Sequence, residues 1–512
     1  MKTRWKILIG MVLFMVLVAG LALVTMRLEP ENAVEAYKKL LRAKGEKLTL
    51  SEVLPPPVPP ESNSVTAVQA AFGMLGSGSE KIPDTMKMVA PGKALIGWQQ
   101  PEARGDDFTN TWAEFTANLE TNRPAITLLH EILNYPRLTF PVDYQASSFP
   151  SLPLVQMRHA AQKLESATIC AMHNSDPAEA VTNILTLLEL VQKSEADGLL
   201  ISQLVRIAIA AIAVVPTWEL LQATNVTDAQ LAAVQAGWAR LNSLHDAECT
   251  FVTERAWSVA FIHKSRTSHE AFENFFIGGS TASSSGRSAL WNWPPDWEAM
   301  TEGPRQVVAE GMWRSSWSYS AELHSLKGQQ IILEALRGMQ TNQSLSCKAE
   351  YAAMLPQLAA LGDDHASRAL FRILKIPDYS EIFEIDGLAG AVRNTIRSET
   401  ARRIVITAIA LKRFQLKHAH LPETLAALVP EFIPSIPIDP QDGQPLRYRR
   451  NLDGTFLLYS VGKDGKDDGG DPTHMSSGSS NLGWQNPQAR DWVWPQPASE
   501  AEIKFFREHP PK

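Results

Sequence analysis

The sequence predicts a mainly α-helical protein in three parts: an N-terminal transmembrane helix, an α-helical body of bundle or solenoid-like form, and a small C-terminal α+β domain with an antiparallel sheet. Three observations carry this. An uninterrupted apolar run extends from Ile7 to Met26, and helical segments follow one another in close order from Leu154. Two short segments rich in aromatic and β-branched residues flank Asp453-Gly454, the pattern of a β-hairpin. The expected division is a cytoplasmic N-terminus and anchor in residues 1–28, a juxtamembrane helix and proline-rich spacer in 29–64, the helical body in 65–394, and the α+β domain with its acidic loop and tail in 395–512.

Lys2, Arg4 and Lys6 precede the apolar run, and Arg27 and Glu29 end it. A helix of about 20 residues spans roughly 30 Å of hydrocarbon. The stronger basic cluster before the run predicts a cytoplasmic N-terminus and an exported bulk. That describes a single-pass protein of the inner (cytoplasmic) membrane, touching the lipid bilayer through residues 7–26. A cleaved signal peptide is the competing reading, with Gly20 and Ala22 as small residues; the anchor is favoured because leucine, valine and methionine continue beyond Ala22. Next comes a charged helix, ENAVEAYKKLLRAKGEK, stopped by LPPPVPP. Its prolines remove amide donors and impose an extended path, a stiff spacer between membrane and body.

At 512 residues, 45% hydrophobic and 20% charged, the chain has ordinary globular composition and length for two or more domains. A net charge of -7 without a concentrated basic face excludes a general nucleic-acid binder. Cys170, Cys249 and Cys347 are far apart and form no CxxC or zinc pattern; one disulfide between two of them is compatible with the spacing.

Within the body, Asp176-Pro177 reads as an N-cap followed by proline at the first helical position, and Thr227 with Gln230 as a capping box. The segment Leu199 to Val215 is nearly all apolar, but Gln203 and Arg206 interrupt it and Pro216 is expected to end it. It is read as a central buried helix rather than a second span. One helix is expected from Asp228 to about His263, and helices resume from Pro304 to about Gln340. Between them a Ser/Gly-rich loop, 278–289, leads to Trp291, Trp293 and Trp297, either an exposed aromatic patch for a partner or rings packed on neighbouring helices.

No HExxH helix, GxSxG elbow or phosphate loop occurs. Asp363-Asp364-His365 has the groups for metal binding or acid–base chemistry, although adjacent residues rarely converge on one atom and a polar turn explains them equally. His418 and His420 end a basic helix, where cations complement the dipole. The expected role is therefore structural or interactive rather than enzymatic, with an envelope hydrolase using Asp363 to His365 as the alternative.

Near the C-terminus a helix from Arg402 to Lys417 feeds the hairpin strands Leu446 to Arg450 and Thr455 to Val461. Beyond them Asp464, Asp467, Asp468 and Asp471 crowd among Gly465, Gly469 and Gly470. Carboxylates this close repel unless they are solvated or share a cation, and glycines let carbonyls join them around a hard ion such as calcium. The loop is not an EF-hand, since Lys466 and Met475 stand where ligands are required. A solvated acidic turn is the other reading.

The order LPETLAALVPEF, IPIDPQDGQPLRY, DGTFLLYSVGKDGKDDGG and RDW resembles the C-terminal domain of the major pseudopilin of type II secretion systems. The order RAKGEKLTLSEVLPPPVPPESN is similar to the start of bacterial membrane-anchored proteins that carry the same tail. The pseudopilin resemblance implies a calcium site in the loop after the YSxGxDG strand, at positions matching Ser460, Asp464 and Asp491, and an envelope or secretion-system protein as partner. With the loop carboxylates the expected ligand set is Ser460, Asp464, Asp467, Asp468, Asp471 and Asp491. Three departures qualify the match: Gln441-Asp442-Gly443 replaces a tryptophan element, GKDDGG carries an extra acidic residue, and a long insert separates Asp471 from Asp491, so that either aspartate completes the site. Gly10 lies inside the apolar run and no glutamate occurs between Met1 and Leu28, which predicts neither pseudopilin processing nor assembly into a pilus.

Overall fold

The computed structural model describes residues 29–75, 81–144, 152–276, 310–341, 346–361, 385–473, 484–485 and 489–509. The apolar run 7–26, Trp291, Trp293, Trp297 and the Asp363-Asp364-His365 turn lie outside the described residues. The described chain is mainly helical, as expected, with small sheets near the C-terminus and in the segment 88–110.

Helix α1 covers 29–43, followed by α2 (Leu50–Val53) and α3 (Val65–Leu75). α1 is docked on the body: Leu41 and Leu48 pack on Leu326, and Glu46 is bound by Arg255, Arg337 and Gln330. The exposed proline run therefore bridges two points of the body instead of separating the body from all that precedes it. It returns at Ser64, whose amide donates to Arg137 O at 3.0 Å.

The centre is formed by α6 (Leu154–His173), α7 (Pro177–Lys193) and α8 (Leu200–Leu221). Asp176 caps α7 through the Glu179 amide at 3.0 Å, with Pro177 at its first position. α8 is long and apolar enough to cross a membrane, yet it packs against α6, α7 and the long helix α14 (Ile385–His418), with Trp218 and Leu220 fully buried. Pro216 does not end it. The missing amide costs one helical hydrogen bond, and packing by neighbouring helices carries α8 on to Leu221, while the buried Thr217 hydroxyl donates to Ala213 O at 2.7 Å.

The helix expected from Asp228 to His263 is two: α9 (Asp228–Arg240), with the predicted Thr227–Gln230 capping box, and α10 (Ser243–Thr267), restarted by Asn242, which accepts the His245 amide at 3.2 Å. α12 (Ser318–Thr341) follows a π-helical turn at Trp313–Trp317 and packs on α10 and on α13 (Cys347–Leu361). Between α3 and α6, and between α10 and α12, lie α4 (Trp112–Glu120), α5 (Arg123–His130) and α11 (His269–Phe276). No disulfide joins the three cysteines: Cys170 and Cys347 are buried apart, and Cys249 is exposed on α10.

α14 (Ile385–His418) begins well before the expected Arg402, so the expected 394/395 boundary falls inside it. It leads to strands β5 (Arg447–Arg450) and β6 (Phe456–Ser460), an antiparallel hairpin with Arg447 opposite Tyr459 and Arg450 opposite Phe456. β7 (Trp492–Val493) adds antiparallel to β6, with Ser460 opposite Trp492.

The body also contains strands that helical periodicity did not predict. β1 (Met88–Ala90) and β2 (Lys93–Ala94) form one hairpin, and β3 (Ala103–Gly105) and β4 (Phe108–Asn110) another. β2 pairs in parallel with β8 (Gln496–Pro497), just ahead of the final helix α15 (Glu500–Glu508). One apolar core accordingly runs from Val68 through Trp218 and Trp238 to Leu446, Leu458 and Trp494.

Candidate metal centre

β6 ends at Ser460, and the following loop, 461–473, folds against the Ala489–Asp491 segment that enters β7. Glycines make this approach possible. Gly462 has φ +64°, and a Cβ there would lie 2.6 Å from the Arg490 carbonyl oxygen, so a side chain is excluded both by conformation and by space. Asp464, Asp467 and Asp471 each accept the amide two residues on, from Lys466 (3.1 Å), Gly469 (3.0 Å) and Thr473 (2.9 Å), folding their own turns.

The charges are partly balanced by cations that sequence reasoning did not assign. Arg447 on β5 pairs with Asp442, with Asp467 at 3.3 Å and with Asp439 at 3.5 Å. Tyr459 donates its hydroxyl to Asp467 at 2.8 Å. Arg490 lies 3.5 Å from Asp468 and 3.6 Å from Asp471, distances of loose ion pairs. Lys348, at the start of α13, reaches the loop at Gly465, where a Cβ would meet its Nζ at 2.5 Å.

Asp491 differs from the others in being fully buried. Its Oδ2 accepts the amides of Gly470 (2.8 Å) and Asp471 (3.1 Å), whereas Oδ1 has no hydrogen-bond partner. Burial pushes this carboxyl up to about 6, against the amides of Gly470, Asp471 and Asp468 and with the charge of Asp467. A buried acceptor oxygen left unmatched is costly.

The loop thus carries Asp464, Asp467, Asp468 and Asp471, and Asp491 accepts its Gly470 and Asp471 amides. Ser460 donates its hydroxyl to Asp439 Oδ1 at 2.8 Å, and Asp464, like Asp467 and Asp471, accepts the amide two residues on. Asp439 is the residue the sequence reading missed. Fully buried, it also accepts the amides of Gln441 (2.9 Å) and Val461 (3.0 Å), tying the hairpin to the preceding segment. The Asp-Pro within IPIDPQDG was the available signal, since aspartate commonly holds an amide two residues on. His418 and His420 are accounted for by local packing beside Phe414, with His420 Nδ1 2.9 Å from Leu421 O.

Among the described residues no three His, Cys, Asp or Glu side chains form a preformed metal cage. The groups a hard cation could use are fewer: Asp491 Oδ1, which has no hydrogen-bond partner, and Asp468 and Asp471, which Arg490 holds only loosely. Compared with family models, curated proteins and solved structures, the chain matches none.

Proposed function

We propose that the chain is a membrane-anchored, extracytoplasmic structural or interaction protein of the cell envelope, whose pseudopilin-like C-terminal segment is stabilised by calcium at the acidic loop. The observation that carries the calcium reading is Asp491, a buried carboxylate with one oxygen unmatched against a loop of further carboxylates. Asp491, Asp468, Asp471 and loop carbonyls would hold the ion, which supplies positive charge where Arg490 supplies it weakly. The membrane reading rests on the length and basic flank of Ile7 to Met26, and the partner proposed is an envelope or secretion-system protein.

Both parts are tested on the full chain expressed in a bacterium. The protein should stay in the membrane fraction through carbonate washing, and release into the wash would overturn the anchor. Melted in detergent, it should be stabilised by calcium, by about 2.7 kcal/mol at roughly one hundred times Kd. Asp491→Asn should remove that gain, and magnesium, which demands a smaller octahedral cage, should substitute poorly. Coincident curves with millimolar calcium and with chelator would overturn the calcium reading.

A further inference from the structure

Far from the acidic loop, two carboxyls are buried where α6 meets α8. Glu219 of α8 is fully buried, and Glu165 of α6 is nearly so. Both reach the segment that carries the first hairpin. Glu219 Oε1 accepts the amides of Met86 (2.7 Å) and Gly97 (2.9 Å), and Glu165 Oε1 accepts the Thr85 hydroxyl at 3.0 Å. The two grips converge on one point, since a Cβ at Gly97 would lie 3.1 Å from Thr85 Cγ2 and 3.2 Å from Glu219 Oε1.

The gripped backbone is in a disfavoured form. Met86 has φ +44°, a left-handed conformation that a side chain of this kind rarely adopts. It presents its amide to Glu219 and so depends on that acceptor. Among the described residues neither carboxyl has a cation partner. The charged groups on the surrounding elements are committed elsewhere: Lys87 pairs with Asp84 and Asp106, Arg104 with Glu102, Lys193 and Arg240 with Glu189, and Arg206 with Asp246. On α6 itself Lys163 has its own interactions, and His173 turns Nδ1 to Trp98 O at 2.9 Å. On α14, which packs on α8 and α9, Lys412 is half-buried and Arg413 pairs with Asp228. Lys81, whose carbonyl accepts the Ser166 hydroxyl, directs its ammonium toward the Phe108 ring.

Two neighbouring carboxyls taken out of water without a cation cannot both ionise cheaply. We propose that Glu165 and Glu219 retain at least one proton between them and act as a pH-sensitive latch, holding the first hairpin against α6 and α8 and releasing it when both become charged. Burial pushes Glu165 up to about 7, against the Thr85 hydroxyl, and Glu219 up to about 8, against the Gly97 and Met86 amides and with the charge of Glu165. Both lie above the 4.5 of an ordinary glutamate, so the latch's contribution is fully present below 4.5 and is lost as pH rises through about 7 and about 8. Its consequence reaches the C-terminal tail. β2 pairs with β8, and the Gln496 and Ala498 amides donate to Gly92 O (3.0 Å) and Ala94 O (2.8 Å), so release of the hairpin loosens the strand that follows Asp491 and β7.

The test is hydrogen exchange of the Met86 and Gly97 amides in the full chain in detergent, corrected for intrinsic exchange. Protection should fall at least about tenfold between roughly pH 6 and pH 9 in the wild type, and Glu165→Gln should abolish the fall while keeping the amides protected. A protonated-carboxyl infrared band should vanish over the same interval and weaken in Glu165→Gln. Protection independent of pH in the wild type, or an unchanged fall in Glu165→Gln, overturns the latch. If that variant does not fold, absence of the protonated band from the wild type at about pH 6 overturns it as well.

Discussion

Glu46 shows how much of this molecule is decided by single residues that look unremarkable in sequence. Within RAKGEK it reads as a solvated charge. In the fold it is buried and bound by Arg255, which is itself fully buried, and by Arg337 and Gln330. Burial pushes its carboxyl up, but the hydrogen bonds from Arg337, Arg255 and Gln330 outweigh this and hold it at about 2. A folded value below the ordinary 4.5 means that the contribution is present above 4.5 and is lost as pH falls toward 2. Removing one member leaves Arg255 buried without its carboxylate, so Glu46→Ala should cost about 3–5 kcal/mol in denaturant unfolding. The variant should also show a shallower loss of stability on acidification. Arg447 and Arg490 teach the same lesson at the acidic loop: the aspartates were legible because they crowd in sequence, whereas their counter-charges come from elsewhere in the chain.

At the scale of elements, what sequence reveals is what is local. The Asp453-Gly454 hairpin, the Asp176 cap and the Thr227 capping box are all made by residues within a few positions of one another, and all are present. The strands of 88–110 were missed because they are short and one of them is completed by β8, about four hundred residues away; no local period encodes such a pairing. The break between α9 and α10 was missed because Asn242 sits in an otherwise helical pattern and acts only as a cap. The junction of β6 and β7 offers a direct test of an element's dependence on one residue. Gly462→Ala combines a left-handed backbone with a Cβ driven into the Arg490 carbonyl, so it should destabilise the chain by about 1–3 kcal/mol. Because the same clash displaces Asp491, the calcium response proposed above should weaken in parallel when the variant is melted with and without the ion.

For the molecule as a whole, the sequence suggests an α+β unit beginning at residue 395, set beside a separate helical body. The fold joins them: α14 crosses that boundary and packs on α8 and α9, and Leu446, Leu458 and Trp494 share a core with Trp218 and Trp238. Trp218 Nε1 also donates to Pro495 O at 2.9 Å, so the C-terminal segment supplies a buried indole with its acceptor. A fragment of residues 395–512 would begin inside a helix and expose the side of α14 that carries Ile404, Val405, Ala408 and Ile409, all buried in the whole chain. Exposing one large aliphatic side chain costs about 1.5–3 kcal/mol, so losing several together is comparable with the typical stability of about 5–15 kcal/mol for a whole domain. The fragment is therefore expected to show no cooperative transition in calorimetry and to bind a hydrophobic dye, with calcium failing to rescue it. The described body and C-terminal segment should instead melt together in the full chain. A sharp, calcium-raised transition from the isolated fragment would mean that the shared core contributes little to holding the sheet.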